Sequence, residues 1–226
     1  MELIFSKLTF LTSIWYPYLA PKGRFLFQKL RWFILYFIKT SSTKMSYCTA
    51  IKTMSDERKA LHKAYHDQQY GFPIHDDNEL FCRLIFEINQ AGLSWETILR
   101  KEQSFREAYH NFDIQRVANY TDDDRERLLA DAGIIRNRLK INAAIENAKT
   151  ILILQKEHGS FGNWLASHHP KTKTEWIKLF KKTFRFTGGE IVNEFLMSIG
   201  YLPHAHDENC EVYAKILASN PMWLKG

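Results

Sequence analysis

The stretch Glu87-Ile88-Asn89-Gln90-Ala91-Gly92-Leu93-Ser94-Trp95 joins two helical segments and sets two chemically unlike groups on either side of the joint. Asp76 to Gln90 carries Leu80, Phe81, Leu84, Ile85 and Ile88 at helical spacing, which predicts an amphipathic helix with Glu87 close to its apolar face. Gly92 marks the turn, and Ser94 is the expected N-cap of a second helix running to Tyr109. Taken alone, a carboxylate near a core is most simply a salt-bridged structural residue, and Trp95 taken alone is core. Held together by one tight turn, an acceptor-only carboxylate and an aromatic plate are what a pocket for a flat cationic heterocycle requires.

Outward from this joint the chain reads as helix after helix, with no persuasive strand alternation, so the expected fold class is all-α. Asp113 caps a short helix to Asn119, and Thr121 with Asp124 forms a capping-box pattern opening a helix to about Asp131. Gly133-Ile134-Ile135 breaks that helix. Asn137 to Lys156 then carries Leu139, Ile141, Ile145, Ala148, Ile151 and Leu154, a long amphipathic helix. Shorter helices are expected at about Ser160 to Ser167, Thr174 to Lys182, Gly189 to Ile199 and Asn209 to Ser219. The turn between Asp131 and Lys140, with Arg136, Arg138 and Lys140 nearby, can present backbone amides and a helix N-terminus to a phosphate, though an ordinary helix-helix turn with solvated cations reads equally well. A second basic run, Lys171, Lys173, Lys178, Lys181, Lys182 and Arg185 against Glu175, either lines the same surface or is a solvated face.

Charge is distributed unevenly. Residues 1 to 44 hold seven Lys/Arg and one Glu, so residues 45 to 226 hold 24 of each sign and are formally neutral. The overall +6 is therefore no argument that the body binds nucleic acid, and such binding must rest on a local patch. Three cysteines, Cys48, Cys82 and Cys210, are too few and too odd in number for a disulfide framework and suit a reducing, cytoplasmic setting. Cys82 sits among apolar helical residues and is expected in the core.

Tyr65-His66-Asp67-Gln68-Gln69-Tyr70-Gly71, then Gln90-Ala91-Gly92-Leu93-Ser94-Trp95, then Ala132-Gly133-Ile134-Ile135-Arg136-Asn137 resemble, in order and separation, the signature segments of the 3-methyladenine DNA glycosylase I family. The resemblance spans about Ser46 to Leu217. It implies a helix-hairpin-helix glycosylase-like globule with a zinc clamp joining the two ends of the body. It also implies a monofunctional DNA repair enzyme that hydrolyses the N-glycosidic bond of 3-methyladenine in alkylated double-stranded DNA, leaving an abasic site. Carried over by position, it implies Glu87 as the catalytic residue, Tyr65 and Trp95 against the base, and Cys48, His66, His206 and Cys210 as ligands of a structural zinc. Two thiolates and two imidazoles are independently a tetrahedral zinc set, although His204 is an alternative to His206 on spacing alone. Leu93, Gly133, Arg136 and Arg138 are expected at the DNA, with Leu93 a candidate wedge. No membrane or protein partner is implied, and a monomer is expected.

Three departures bear on the pocket and DNA surface. Gln69 stands where the family pattern has an acid, Tyr70 where Trp is common, and Asn193-Glu194 where hydroxyl residues are common. Two rival functions follow from the same residues: a non-catalytic helix-hairpin-helix DNA-binding protein, and an all-α zinc-stabilised interaction protein.

The first 44 residues differ in kind. They are dense in aromatics, including Trp15, Trp32 and Phe33, and their longest uncharged apolar run, Trp32 to Ile38, falls far short of the ~20 residues a membrane span needs. The composition breaks at Ser41-Ser42-Thr43-Lys44, and the family pattern has no counterpart upstream, so Met45 is the expected start of the native chain and 45 to 226 the glycosylase domain. Mass measurement of the native protein should give an N-terminus at Met45; a mature chain starting at Met1 overturns this.

Overall fold

The computed structural model describes residues 45 to 225; the expectations for residues 1 to 44 lie outside them. Eleven α-helices follow one another, with no strand among the described residues: α1 (Tyr47–Lys52), α2 (Asp56–Gln68), α3 (Asp77–Gln90), α4 (Trp95–Ala108), α5 (Ile114–Ala118), α6 (Asp122–Ala130), α7 (Arg138–His158), α8 (Phe161–Ser167), α9 (Lys173–Thr183), α10 (Gly189–Ser198) and α11 (Tyr213–Ala218).

The helix starts follow local capping chemistry. Asp76, Ser94 and Asp113 accept from the amides of Glu79, Thr97 and Arg116 at the starts of α3, α4 and α5. Thr121 and Asp124 form the expected capping box of α6, and Asn137 caps α7 through the amides of Leu139 and Lys140. Two expectations need correction. Asn209 to Val212 is turn rather than helix, so α11 begins later than its sequence suggests. The sequence reading placed no helix around Tyr65, yet α2 is there; it is mostly polar and buries only His62, Tyr65 and His66, too thin an apolar stripe for periodicity to reveal.

α3 is the centre of the molecule. It packs against α4, α5, α7, α8 and α10, and every residue from Leu80 to Asn89 is buried. The expected one-sided amphipathic helix is instead enclosed all round, which puts Arg83, Glu87 and Asn89 inside with the apolar residues. Around it lies one large core in which Phe81, Phe105, Phe112, Phe161, Trp176, Phe180 and Phe195 are fully buried, and Cys82 joins it as expected. A smaller aromatic cluster of Tyr65, Tyr70 and Leu99, with Tyr47 and Trp95 against it, covers the other side.

The hairpin between α6 and α7 is anchored from beneath. Ile134 is buried in the core, and Lys101 on α4 donates to the carbonyls of Ala132 (3.0 Å) and Gly133 (3.1 Å). Glycine is required at 133 because a Cβ would stand 2.9 Å from both Asp131 Oδ1 and Ser104 Cβ.

Asp77 fixes where α3 sits lengthwise. Its carboxylate accepts from Gln155 Nε2 (2.7 Å) and from the first amides of α8, Phe161 (2.7 Å) and Gly162 (3.0 Å), so one side chain ties α3, α7 and α8. Asp77→Ala is expected to lower the unfolding free energy by about 2 to 3 kcal/mol, the scale of hydrogen bonds to a charged acceptor. Urea unfolding should show a lower midpoint with an unchanged slope.

Candidate functional site

Arg83 and Glu87 are one turn apart on the enclosed helix α3, with relative exposures of 6% and 4%. Arg83 donates from Nη1 to the Tyr65 hydroxyl (2.6 Å) and from Nη2 to Gln69 Oε1 (3.0 Å), and its guanidinium lies 4.7 Å from the Tyr65 ring centroid. Among the described residues, no carboxylate lies within ion-pairing distance of Arg83, no cation lies within that distance of Glu87, and no hydrogen bond reaches the Glu87 oxygens. The salt-bridged structural carboxylate considered from sequence is therefore not what the fold builds.

Burial pushes the Glu87 carboxyl up to about 8; the charge of Glu194 adds to this, and Arg83 opposes it. Burial likewise raises the Tyr65 phenol, which stays neutral and able to donate. Trp95, first residue of α4, sets its ring 4.9 Å from Tyr65 at 50°, and Tyr70 lies 5.6 Å from Tyr65. The Trp95 indole N–H is buried and has no partner among the described residues. Glu87, Tyr65 and Trp95, chosen from sequence, thus converge from three helices on one aromatic wall with an acid that no group among the described residues neutralises by contact.

The turn that joins α3 to α4 places Gly92 at φ +84°, a left-handed conformation that glycine adopts without strain. It leaves Leu93 41% exposed beside the wall. The sequence groups Lys140 with the cations of the hairpin, and the structure corrects this. Lys140 is 4% exposed, and its ammonium turns inward to the carbonyls of Asn89 (2.8 Å) and Ala91 (2.7 Å), the last turn of α3. Burial lowers its pKa, and the Phe186 ring lies 5.9 Å away. A cation at a helix C-terminus satisfies carbonyls left without helical partners. Sequence reasoning missed this residue and Arg83, because both types are ordinarily solvated.

Arg136 and Arg138 are exposed at the hairpin, with no ion pair among the described residues. The Gly133 amide is not free: it donates to Asp131 Oδ1 at 2.7 Å. Lys173, Lys178, Lys181, Lys182 and Arg185 are exposed, and Lys173 pairs with Glu190 at 3.6 Å.

Behind the aromatic wall, Cys48 of α1, His66 of α2, His206 and Cys210 bring one ligand atom each within 4.8 Å of one another. His206 rather than the exposed His204 belongs to this group. The Cys48 Sγ lies 3.2 Å from His66 Nε2 and 3.6 Å from His206 Nδ1; the Cys210 Sγ lies 3.8 and 3.6 Å from the same atoms. A tetrahedral site with ordinary metal-sulfur and metal-nitrogen bonds has edges of about 3.3 to 3.8 Å, so the four atoms are spaced to hold a metal ion. The outer nitrogens are engaged: His66 Nδ1 donates to Asp67 Oδ1 (2.6 Å) and His206 Nε2 donates to the Tyr70 carbonyl (2.8 Å), which turns the other nitrogen of each ring inward. Burial favours the neutral His206 ring, the form that ligates.

Comparison with known proteins places this geometry. The family model described as Methyladenine glycosylase matches residues 55–213. The chain is 34% identical over 173 residues to DNA-3-methyladenine glycosylase of Haemophilus influenzae, covering 68% of this chain and 94% of that protein. It is 36% identical over 172 residues to DNA-3-methyladenine glycosylase 1 of Escherichia coli, covering 68% and 91%. Among solved structures, 3-methyladenine DNA glycosylase I of Staphylococcus aureus superposes with a TM-score of 0.66 at 31% identity, covering 75% of this chain and 97% of the other. A variant of 3-methyladenine DNA glycosylase I in complex with 3-methyladenine gives 0.64 at 30%, covering 68% and 92%.

Lys140→Met removes a cation from two carbonyls that no solvent readily reaches. It is expected to destabilise the fold by roughly 2 to 3 kcal/mol and to speed amide hydrogen exchange in residues 89 to 95 more than in α9. Unchanged protection across that turn means that the tie does not hold the end of α3.

Proposed function

Because this chain belongs to the methyladenine glycosylase family, we propose that the wall formed by Glu87, Tyr65 and Trp95 is the pocket for an extruded, methylated adenine. The protein is a 3-methyladenine glycosylase of DNA repair, a hydrolase of N-glycosyl bonds. The observation that carries the pocket assignment is Glu87 itself: a buried acid, close enough to Tyr65 and Tyr70 for its charge to act on both, that no group among the described residues pairs. An unpaired buried carboxylate costs several kcal/mol unless something completes it, and a cationic purine is of the right charge and shape.

The substrate's chemistry explains why so little machinery is needed. Methylation at N3 gives the adenine a formal positive charge, so the bond from C1′ to N9 breaks with its electron pair passing to the base. The base departs neutral without prior protonation, and water adds to C1′ and loses a proton. The protein extrudes the nucleotide, holds the ring and admits water. Glu87, ionised on binding, accepts from the amino edge of the base, Trp95 stacks on it, and Tyr65 completes the wall. A charge-assisted hydrogen bond with a desolvated cation–π contact contributes on the order of 3 kcal/mol toward the charged base. The buried amine of Lys140 is occupied by two carbonyls, which supports hydrolysis to an abasic site without an amine nucleophile.

The hairpin is the element by which residues 45 to 226 hold double-stranded DNA. Arg136, Arg138 and the N-terminus of α7 engage phosphates in a sequence-independent, salt-sensitive way. Gly133 contributes by letting the turn pack on α4 rather than by its own amide. Leu93 stands where it can fill the vacated stack. Cys48, His66, His206 and Cys210 would hold a structural zinc. Four protein ligands leave no open position, so the ion's contribution is to fix α1 and the segment before α11 behind the pocket.

Glu87→Gln should lower release of 3-methyladenine from methylated duplex DNA by about one to two orders of magnitude, the difference between charge-assisted and neutral hydrogen bonding; wild-type rates with an intact fold sink the assignment. Because the free pocket holds its proton up to about pH 8, kcat/KM should rise as pH climbs through that value. The bound cation pulls Glu87 into its ionised form, so kcat should stay nearly flat over the same range. In Glu87→Gln the rise should vanish. Removal of zinc by a strong chelator should lower the Tm by about 10 °C or more, with recovery on zinc addition; a metal-free protein of unchanged Tm argues against the clamp.

A further inference from the structure

Tyr70 is buried beside the pocket wall, yet its hydroxyl donates to Glu194 Oε2 at 3.1 Å. Glu194 is on α10, which packs directly on α3, and it is only half-buried. After burial itself, the charge of Glu194 is the largest influence on Glu87, and the Tyr70 phenol feels both carboxylates. Two acids from two helices therefore bear on the same aromatic wall of Tyr65, Tyr70 and Trp95. The opposing cation, Arg83, donates its hydrogen bonds to the neutral groups Tyr65 and Gln69. One guanidinium against two carboxylates leaves the wall one positive charge short of neutrality when both acids are ionised.

Resting on the base-pocket reading above, we propose that Glu194 is a specificity-determining residue, forming with Glu87 a two-carboxylate cup that selects purines carrying a full positive charge over neutral purines of the same shape. A buried carboxylate that faces a second one resists ionising without a cation between them; the empty cup resolves this by keeping a proton on Glu87. A cationic purine takes the place of that proton and restores neutrality. A neutral purine brings no charge, so it gains only stacking and leaves the proton in place. The same logic favours departure of the product, because cleavage turns the cation into a neutral base and the cup takes its proton back. The groups that set this balance are Arg83 on α3, Glu194 on α10, Tyr65 on α2 and Tyr70 just after it. The Tyr70 hydroxyl is the tether that aims Glu194 at the wall.

Calorimetric titration of the full chain tests this with two probes: 3,9-dimethyladeninium, a fixed cation in which a methyl replaces the sugar, and neutral 9-methyladenine. Wild type should prefer the cation, and Glu194→Gln should reduce that preference about tenfold, the effect of removing one close charge. The loss should come from weaker cation binding, with affinity for 9-methyladenine unchanged. Glu194→Asp should retain most of the preference. Cation affinity should also strengthen at lower pH in Glu194→Gln than in wild type, because Glu87 no longer faces a second negative charge; a merely structural role would leave that dependence in place. If Glu194→Gln fails to fold, Tyr70→Phe keeps the acid, loses the tether and should show a smaller drop in the same ratio. A ratio unchanged in these variants, or equal loss for both probes, overturns the proposal. Release of 3-methyladenine from methylated DNA by wild type is measured alongside: its absence removes the underlying reading, whereas release with an unchanged ratio removes the role of Glu194 alone.

Discussion

Two ionisable groups inside a helix that is buried on every side set the terms for the rest of this protein. Moving a carboxylate or guanidinium out of water costs several kcal/mol even after relaxation. Arg83 recovers part of this through the Tyr65 hydroxyl and Gln69, whereas Glu87 has no ion pair or hydrogen bond from its carboxylate among the described residues. The fold therefore holds an acid whose ionisation burial disfavours and a nearby cation can relieve. Were Arg83 and Glu87 directly bridged, the helix would gain stability and the pocket would lose its attraction for a charged base.

Such a site works only if its parts are held rigidly, since a carboxylate free to swing toward water would solvate itself. Three ties provide this from different directions. Asp77 fixes the start of α3 to α7 and α8. Lys140 fixes its end to the first turn of α7. The Cys48, His66, His206, Cys210 cluster lies behind Tyr65, whose neighbour in sequence is one of its members, and the Tyr70 carbonyl is bound by another. Lys140 has a particular consequence, because it belongs to the helix that opens from the hairpin. The element proposed to grip the phosphates and the element that holds the acid share one buried ammonium, so the turn carrying Leu93 cannot shift independently of the hairpin.

Aromatic residues serve two purposes here, distinguished by where they lie and not by type. Phe81, Phe105, Phe161, Trp176 and Phe195 fill the main core and contribute through buried area alone. Tyr65, Tyr70 and Trp95 form the smaller cluster, where each carries a polar atom: two phenols hydrogen-bonded to Arg83 and Glu194, and an indole N–H without a partner among the described residues. A stacking surface edged with polar groups can recognise a base.

Much of this was legible in the chain because it is local. Capping at Ser94, Asp113 and Thr121 depends on a side chain and an amide three residues away, and the structure reproduces each. The convergence of Glu87, Tyr65 and Trp95, and the four-residue Cys/His group, followed from motif spacing and family resemblance. What sequence did not disclose depends on distant partners. Periodicity marked one apolar face of α3, but only the packing of five other helices around it closed the remaining faces and buried Arg83 with Glu87. Lys140 reads in sequence as one more surface cation of a basic hairpin; it points inward because α7 crosses the end of α3, where two carbonyls lack helical partners. Glu194 stands out in sequence only as a departure from the family pattern, 107 positions from Glu87, and only the contact of α10 with α3 brings its charge to bear. Local hydrogen bonding fixes where helices begin and end, whereas the cost of burying a charge is decided by what the tertiary fold sets beside it.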